Sequence, residues 1–421
     1  MKKLFIFLLL FLLTSCSYNE PNDIAYVVAV GLDKSKNNTY DITIQFAKPK
    51  QISGGASEEG GKGGDIVENI TIEAPNVYSG INVANNILSK KFTLSHAKLV
   101  VFSQEVATDG VEEIVDTMIR SEALRPDVYI AVSTDDAREY LENVKPIIEV
   151  NPAKYYQLIY ERSDGGGVPK TDLQQFYFDT KTGTNCSVVP IAGITKSKDG
   201  EKGQSGGNGE EEKKPQKNED NKDAPINERS FEKDLKNYKA GEVAIYNSNK
   251  SEAMGMALFR NNKLVSILGG IDSELYNMLT GKLNKSYISF ENSLSNMPIT
   301  LKLNQRRRPS FDIDLKKKEV NIGLYLESDI YSIPTNYDSV EQIEDIEAEA
   351  RESINIGAEE FIRRCQSKYG FDVLRLGNKI KSKFLTLRGY EDYDFKNHFT
   401  DFKINVETDM EIRRSGLILI E

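Results

Sequence analysis

The sequence has little of the chemistry that most enzymes need. Among 421 residues there are only two histidines and no tryptophan. His96 begins an apolar segment and His398 stands among acidic and aromatic residues, positions that are more typical of a strand or surface histidine than of a general base. The sequence also has no P-loop, no GxGxxG after a predicted strand and no HExxH motif. We therefore predict a protein without catalytic residues that is not an enzyme.

The three cysteines are too few and too scattered to form a structural zinc site. Cys186 and Cys365 lie far apart and form no CxxC pair, and only the two histidines could complete a ligand set. In an exported chain these two cysteines could be joined in a disulfide. Cys365, however, falls on the apolar face of a predicted helix, where a buried free thiol is more common. We predict two free thiols, no metal and no cofactor.

Positive charge is also in the minority. The chain has 64 acidic and 54 basic residues and a net charge of -10, a balance that argues against nucleic acid as a partner. The densest cationic cluster comprises Arg306, Arg307 and Arg308, ahead of a predicted strand. Such a cluster can simply face water, or it can contact a partner or lipid headgroups, each charge contributing ~1 kcal/mol at an anionic surface. Both interpretations remain open.

One apolar run stands out, at the N-terminus. Lys2 and Lys3 precede the unbroken apolar segment Leu4 to Leu13, which ends in Leu-Thr-Ser-Cys at Cys16. The segment is shorter than the roughly 20 residues that a membrane-spanning helix needs. It has the pattern of a lipoprotein signal, although an ordinary secretory signal followed by a chance cysteine is the alternative. We predict that residues 1–15 are a signal peptide and that Cys16 carries the lipid that holds the exported protein on a membrane.

The first half of the remaining chain alternates between strand and helix patterns. Residues 25–32 and 40–46 predict a β-hairpin. Residues 51–66 read as a polar loop, and three helices, 77–88, 111–119 and 135–141, then alternate with apolar strands at 97–102 and 128–132. This order favours an α/β unit. We predict an N-terminal β-rich domain over residues 16–50 plus about 185–196, and an α/β middle domain over 67–184.

A polar segment separates this part from the last third of the chain. Between Ser197 and Ser230 the only apolar residues are Ala224 and Ile226. Such a composition cannot bury enough surface to become ordered, so we predict a flexible linker over residues 197–240.

The last third, residues 241–421, predicts an α+β domain. Alternating apolar residues indicate strands at 299–303, 311–315 and 320–326 and a final strand at 402–412. Between them, helical spacing from Val340 to Cys365 predicts one long helix, and Asp372 can cap a second helix that buries Val373, Leu376, Ile380 and Phe384. The predicted fold is therefore α+β, with three mixed α/β domains. The C-terminal domain is an antiparallel meander sheet with long helices packed on one face.

Several short motifs, in order along the chain, resemble those of one known family. They begin after the Leu13-Thr14-Ser15-Cys16 sequence of the lipoprotein signal and continue to the C-terminal region. In order, they are Asn22-Asp23-Ile24-Ala25, Val30-Gly31-Leu32-Asp33, Leu94-Ser95-His96-Ala97-Lys98 with Leu99-Val100-Val101, Gly110 with Arg120, Pro152-Ala153, Ala257-Leu258-Phe259-Arg260 with Leu264-Val265, Phe371-Asp372-Val373 with Leu376-Gly377, and Arg413-Arg414-Ser415-Gly416. The chain thus resembles the GerAC-type C-subunit lipoproteins of spore germinant receptors. It departs from relatives in lacking tryptophan and in carrying the long polar insertion.

The resemblance implies a fold of three α+β domains and a non-catalytic role. It implies a receptor in which integral-membrane A and B subunits join this lipoprotein at the outer face of the inner spore membrane, and a complex that answers nutrient germinants. A small-molecule germinant is possible but is not assigned to this subunit. Two alternatives remain: the substrate-binding lipoprotein of a nutrient import system, and an anchored hydrolase, which the scarcity of histidine disfavours.

Overall fold

The computed structural model describes residues 23–48, 66–146, 148–161, 165–181, 186–195, 237–243, 249–292, 295–333 and 342–414. Cys16, the signal peptide and most of the predicted linker therefore lie outside the described residues. The described strands form two sheets, one of nine strands and one of five.

The first sheet is built from residues 24–268. Its strands are β1 (Ile24–Lys34), β2 (Tyr40–Ala47), β3 (Val67–Ala74), β4 (Lys91–Thr93), β5 (Leu99–Ser103), β6 (Tyr129–Ser133), β7 (Cys186–Ile194), β8 (Ser251–Arg260) and β9 (Lys263–Leu268). Their order is β3-β2-β1-β5-β6-β7-β8-β9, with β4 beside β1. The four central strands β1, β5, β6 and β7 pair in parallel. Antiparallel pairing adds β2 and β3 at one edge, and β8 and β9 at the other edge. The predicted hairpin of residues 25–46 is confirmed.

Helices cover both faces of this sheet. The helices are α1 (Val77–Ile87), α2 (Gln104–Asp109), α3 (Glu112–Ile119), α4 (Ala137–Asn143), α5 (Pro152–Glu161) and α6 (Leu173–Lys181). Every residue of β5 and β6 is buried, as expected for parallel strands with two covered faces. Val100 and Phe102 pack with α1, α2, α3 and α6, whereas Leu99 and Val101 pack with α4 and α5. The result is a three-layer α/β/α arrangement.

The second sheet holds the C-terminal strands. It contains β10 (Lys285–Asn292), β11 (Ser295–Gln305), β12 (Ser310–Asp314), β13 (Glu319–Ser332) and β14 (Lys403–Arg414). One edge of β13 pairs with β12 near its start and with β11 near its end, and the opposite edge pairs with β14. The predicted strands are confirmed, but the sheet is not purely an antiparallel meander because β14 runs parallel to β13. The long connection through the helices after β13 lets the chain return in the same direction.

One long helix and three short ones pack with this sheet. They are α8 (Ile343–Arg364), α9 (Leu376–Lys381), α10 (Leu387–Tyr393) and α11 (Phe395–His398). Ile346, Ile354 and Phe361 of α8 are buried at helical spacing, as the sequence pattern predicts. The helix continues as a π-helical turn from Cys365 to Tyr369 and ends at Gly370, whose φ of 67° suits glycine. Gln342 stands at the N-cap without a side-chain capping bond.

The two sheets share a continuous apolar core. Helix α7 (Gly270–Thr280) lies between them, and its residues from Asp272 to Leu279 are all buried. Cys186 and Met256 of the first sheet belong to the same buried cluster as Leu275 of α7 and Leu324 of the second sheet. The junction is thus packed as an interior.

The predicted domain boundaries do not coincide with the sheets. Residues 16–50 and 67–184 contribute strands to one sheet instead of two domains, and β8 and β9 come from the predicted C-terminal domain 241–421 but extend the first sheet. Residues 237–240 of the predicted linker are packed: Ala240 is buried, and Asn237 Oδ1 accepts a hydrogen bond from the Ile271 backbone at 3.0 Å. The three-domain description is not confirmed.

Candidate functional site

Both histidines lie at the surface. His96 Nδ1 lies 3.0 Å from Ser95 Oγ, and its ring meets the edge of Tyr26 at 4.9 Å between centroids. His398 Nδ1 lies 3.0 Å from Asp401 Oδ2, and the same carboxylate accepts a hydrogen bond from Lys318 Nζ at 2.7 Å. The second arrangement ties the turn after β12 to the segment before β14. Neither histidine is held between an acid and a nucleophile in the described contacts.

The two cysteines of the folded chain are free and buried, as the sequence predicts. Burial raises the pKa of the Cys186 thiol and of the Cys365 thiol well above the usual range. Both therefore remain protonated, and a protonated thiol is neither a good nucleophile nor a metal ligand. Among the described residues no group of three or more potential ligands could hold a metal ion.

The arginine cluster of residues 306–308 is exposed but only partly available. Arg306 Nε donates a hydrogen bond to Glu327 Oε1 at 2.6 Å, and Arg306 Nη2 donates one to Glu411 Oε2 at 2.8 Å. Arg306 therefore joins the end of β11 to β13 and β14. The Arg307 guanidinium stacks 3.5 Å from the centre of the Tyr325 ring. Two of the three side chains thus have partners within the fold. Contact with lipid or another subunit at this cluster stays a prediction.

The glycine-containing motif at the end of β1 has a structural role. The Asp33 carboxylate accepts hydrogen bonds from the backbone of Ala137 at 2.7 Å and of Arg138 at 2.9 Å, and so caps α4. Burial raises the pKa of Asp33, while these backbone bonds oppose the rise. A Cβ at Gly31 would lie 3.0 Å from the Leu141 side chain, which explains the glycine.

The Phe371-Asp372-Val373 motif works in the same way. Asp372 Oδ2 accepts a hydrogen bond from the Gly377 backbone at 2.7 Å, at the start of α9. Burial raises the pKa of Asp372 to about 6. A helix follows Asp372 as the sequence predicts, but it begins only at Leu376, and Arg375 occupies the N-cap position. The Asp372 carboxylate bonds the first turn of this helix from a position before the N-cap. Both motifs therefore hold helices on the sheets instead of forming a reactive centre.

Sequence reasoning missed a set of buried charges at the junction of the two sheets. Arg375 forms a salt bridge with Asp179 of α6, and Asp179 also accepts hydrogen bonds from Gln175 at 2.7 Å and Ser187 at 3.3 Å. Arg364 of α8 forms a salt bridge with Asp272 of α7. No spacing rule could have paired Asp179 with Arg375, because 196 residues separate them.

A buried glutamate lies close to these pairs. Glu274 of α7 accepts a hydrogen bond from Ser286 Oγ of β10. The loop at Gly166 covers it: a Cβ on Gly166 would lie 2.9 Å from Glu274 Cγ. Burial raises the pKa of Glu274 to about 7, which the Ser286 bond partly opposes. Asn277 Nδ2 donates to the Gly166 carbonyl at 2.8 Å and fixes the loop on the helix.

A modest cleft lies on one face of the first sheet. It measures about 180 Å³ and is lined by residues of β1, α1 and α3, among them Leu32, Val77 and Met118. This is smaller than the roughly 300–1,000 Å³ of typical small-molecule sites. No helix in the described ranges has the length and apolarity needed to cross a bilayer.

Comparison with known proteins gives consistent matches. The model of the spore germination protein N-terminal domain matches residues 17–194, and the model of the spore germination B3/GerAC-like C-terminal domain matches residues 254–416. The putative spore germination protein YfkR of Bacillus subtilis (strain 168) is 30% identical over 47% of this chain and 51% of its own length. Spore germination protein KC of the same organism is 24% identical over 41% of this chain and 43% of its own length. The chain thus spans about half the length of the curated relatives it matches.

A solved structure, the crystal structure of the GerBC protein, has a similar fold. It superposes with a TM-score of 0.51, covering 91% of this chain and 96% of that one at 12% identity. At this identity the likeness concerns the fold alone. Because it extends over nearly both chains, the two-sheet arrangement is not peculiar to this sequence.

Proposed function

The chain belongs to the GerAC-type family of germinant receptor C subunits, and we propose that it is the lipid-anchored, non-catalytic subunit of a nutrient germinant receptor in spores. The observation that carries this proposal is the pair of family matches, which follow one another in order over residues 17–194 and 254–416. In this role the protein acts by assembly, joining integral-membrane A and B subunits at the outer face of the inner spore membrane. The surface position of both histidines and the protonated thiols support a role without catalysis.

Cys16 is the proposed point of attachment. The N-terminal family match begins at residue 17, directly after this cysteine, which supports a mature chain that starts at Cys16. A diacylglycerol there would contribute ~0.8 kcal/mol per buried CH₂. We expect Cys16→Ala to lose incorporation of labelled fatty acid and to leave the membrane fraction after a high-salt wash, because no described helix could replace the lipid.

Ser17→Ala is the matched control for this test, since it changes the neighbouring residue and keeps the thiol. It should retain both the label and the membrane association. Retention of the Cys16→Ala protein on salt-washed membranes would show that the lipid is not the principal anchor.

Assembly is tested in spores. Deleting the whole chain should abolish the response of its own receptor to nutrients, whereas germination by stimuli that bypass nutrient receptors should continue. Complementation with the His96→Ala/His398→Ala double variant should restore germination kinetics, because neither histidine is placed for catalysis. The amounts of the A and B subunits in the spore membrane should fall in the deletion strain. Normal nutrient germination in that strain, with no paralogue compensating, would instead favour a substrate-binding lipoprotein.

The arginine cluster provides a partner-surface test within this proposal. Arg308→Glu is the cleanest substitution, because Arg306 and Arg307 are engaged within the fold. If the cluster contacts another subunit, this variant should fold normally and lower the recovery of A and B subunits in a pull-down from spores.

A further inference from the structure

The segment that joins α9 to α10 presents aliphatic side chains to solvent. We call residues 382–386, with the flanking ends of α9 and α10, the apex loop. Leu385 is fully exposed and Leu387 is 55% exposed. Helix α10 buries none of its residues. The two exposed leucines, two residues apart in the chain, form a small apolar patch on the surface of this turn.

The apex loop is held in a defined conformation. The Phe384 ring turns inward and meets the Tyr390 ring at 5.9 Å and the Tyr393 ring at 5.3 Å between centroids. Thr386 Oγ1 accepts a hydrogen bond from the Gly389 backbone at 3.1 Å and caps α10. These contacts anchor the aromatic residues and direct the neighbouring leucines outward. The exposure of Leu385 is therefore a property of the fold and not of a frayed end.

Cations surround the leucines. Lys379, Lys381, Lys383 and Arg388 are all exposed, and no acidic residue occurs between Asp372 and Glu391. This is a local reversal of charge in a chain with a net charge of -10. Lys379 Nζ lies 4.0 Å from the centre of the Phe311 ring in β12, which follows the arginine cluster in the chain. Burial lowers the pKa of Lys379, and the positive charge of nearby Arg308 lowers it further.

The turn after β12 adds further lysines near the C-terminal end of α10. Tyr393 of α10 donates a hydrogen bond to the Leu315 carbonyl at 3.5 Å, which places Lys316 and Lys317 next to this helix. Acidic groups in the neighbourhood are largely engaged: Asp314 accepts from the backbone of both lysines, and Asp401 bonds Lys318. Glu391 and Asp392 lie about one helical turn after Arg388 on α10.

We propose that the apex loop is a second membrane contact, in which Leu385 and Leu387 enter the interface of an anionic bilayer while the surrounding lysines and arginines meet lipid phosphates. Aliphatic residues at the tip with cations around them match the layering of such an interface. Protein interfaces instead centre on aromatic anchors that fill pockets, and here the aromatic side chains face inward. The contact rests on the proposed lipid anchor only in that Cys16, seven residues before Asp23, keeps Asp23, the first described residue, within about 25 Å of the bilayer.

The absence of tryptophan makes a direct test possible. Leu385→Trp in the lipidated full chain provides a single fluorescent reporter at the tip. On vesicles of phosphatidylcholine mixed with phosphatidylglycerol, its emission should shift to the blue and should be quenched by brominated lipid. Ile148→Trp is the matched control: Ile148 is 95% exposed but adjoins Glu149, and its emission should not change.

Charge reversal tests the cationic part. Adding Lys381→Glu and Lys383→Glu to the reporter should weaken binding of the unlipidated Cys16→Ala chain to the same vesicles about tenfold or more. High salt should have a similar effect, because exposed charges are screened. Because high salt weakens the contact of the apex loop with lipid, this contact does not conflict with the expected release of the Cys16→Ala chain from salt-washed membranes.

Two results would overturn this inference. One is an unchanged emission of the Leu385→Trp reporter on anionic vesicles. The other is a shift that appears only when the other receptor subunits are present, which would make the apex loop a protein contact. Neither result affects the anchor itself, because fatty-acid labelling of Cys16 is measured independently.

Discussion

At the scale of single residues, burial separates carboxyl groups with the same chemistry. Glu274 is enclosed by α7, β10 and the loop at Gly166, and burial raises its pKa to about 7. Asp314 lies at an exposed turn, where backbone hydrogen bonds from Lys317 and Lys316 lower its pKa. The environment, and not the residue type, decides which carboxyl group is protonated near neutral pH.

Glu274→Gln should alter the pH dependence of stability. A glutamate with a pKa raised from 4.5 to about 7 is protonated in the folded state while it is already ionised in the unfolded chain. The wild-type protein therefore loses stability relative to the variant as pH rises from 4.5 to about 7, by roughly 3 kcal/mol in total. Urea unfolding of both proteins at about pH 5 and about pH 8 measures this difference.

Glu391→Gln serves as the control, because Glu391 is exposed and its replacement should change stability by less than about 0.5 kcal/mol at either pH. A stability difference between wild type and Glu274→Gln that is the same at both pH values would contradict the assignment of a raised pKa to Glu274.

At the scale of elements, the capping of α4 shows a local rule overridden by the fold. The sequence places Asp135 and Asp136 at the start of this helix, where aspartate is a common N-cap. In the structure Asp136 makes no side-chain capping bond, and the cap comes from Asp33, which is 104 residues away from Ala137. Strand β1 and helix α4 therefore stabilise one another across the face of the first sheet.

Asp33→Ala should destabilise the protein by about 2 kcal/mol, because it leaves two backbone N–H groups of α4 without an acceptor. Asp136→Ala, at the same helix end, should change stability by less than about 0.5 kcal/mol. Thermal or urea unfolding of the two variants provides the comparison. Equal losses would mean that the cap at α4 is not supplied by Asp33.

At the scale of the whole molecule, the two sheets are joined by both an apolar core and buried charge. The core cluster runs from Cys186 and Met256 through α7 to the second sheet. The Asp179–Arg375 pair crosses the same junction with little solvent exposure. Removing one partner of such a pair leaves an uncompensated charge, which is costly in an environment of low dielectric constant.

Asp179→Asn and Arg375→Gln should each lower the free energy of unfolding by about 3 kcal/mol, and the double variant should lose less than the sum of the two. A double-mutant cycle from urea unfolding measures the coupling. Asp109→Asn, in the exposed Lys34–Asp109 pair, should cost less than about 1 kcal/mol. Additive losses at Asp179 and Arg375 would show that the pair does not couple the two sheets.

The sequence by itself determined the local elements and the family. The hairpin of β1 and β2, the long helix α8, the strands of the second sheet and the presence of a helix after Asp372 follow from patterns that span only a few residues, within reach of periodicity and capping rules. The ordered family motifs likewise identified a chain that matches the two spore germination models. Cys16 and the signal peptide remain predictions of the same local kind.

Only the tertiary structure decided how these elements combine. It assigned β8 and β9 to the first sheet, made Asp33 the cap of α4, paired Asp179 with Arg375 and left Leu385 exposed at the apex loop. The reason is physical: strand periodicity says which face is apolar but not which sheet edge the strand joins. Contacts across 104 or 196 residues depend on that choice of edge, and on what the rest of the chain buries around each charge.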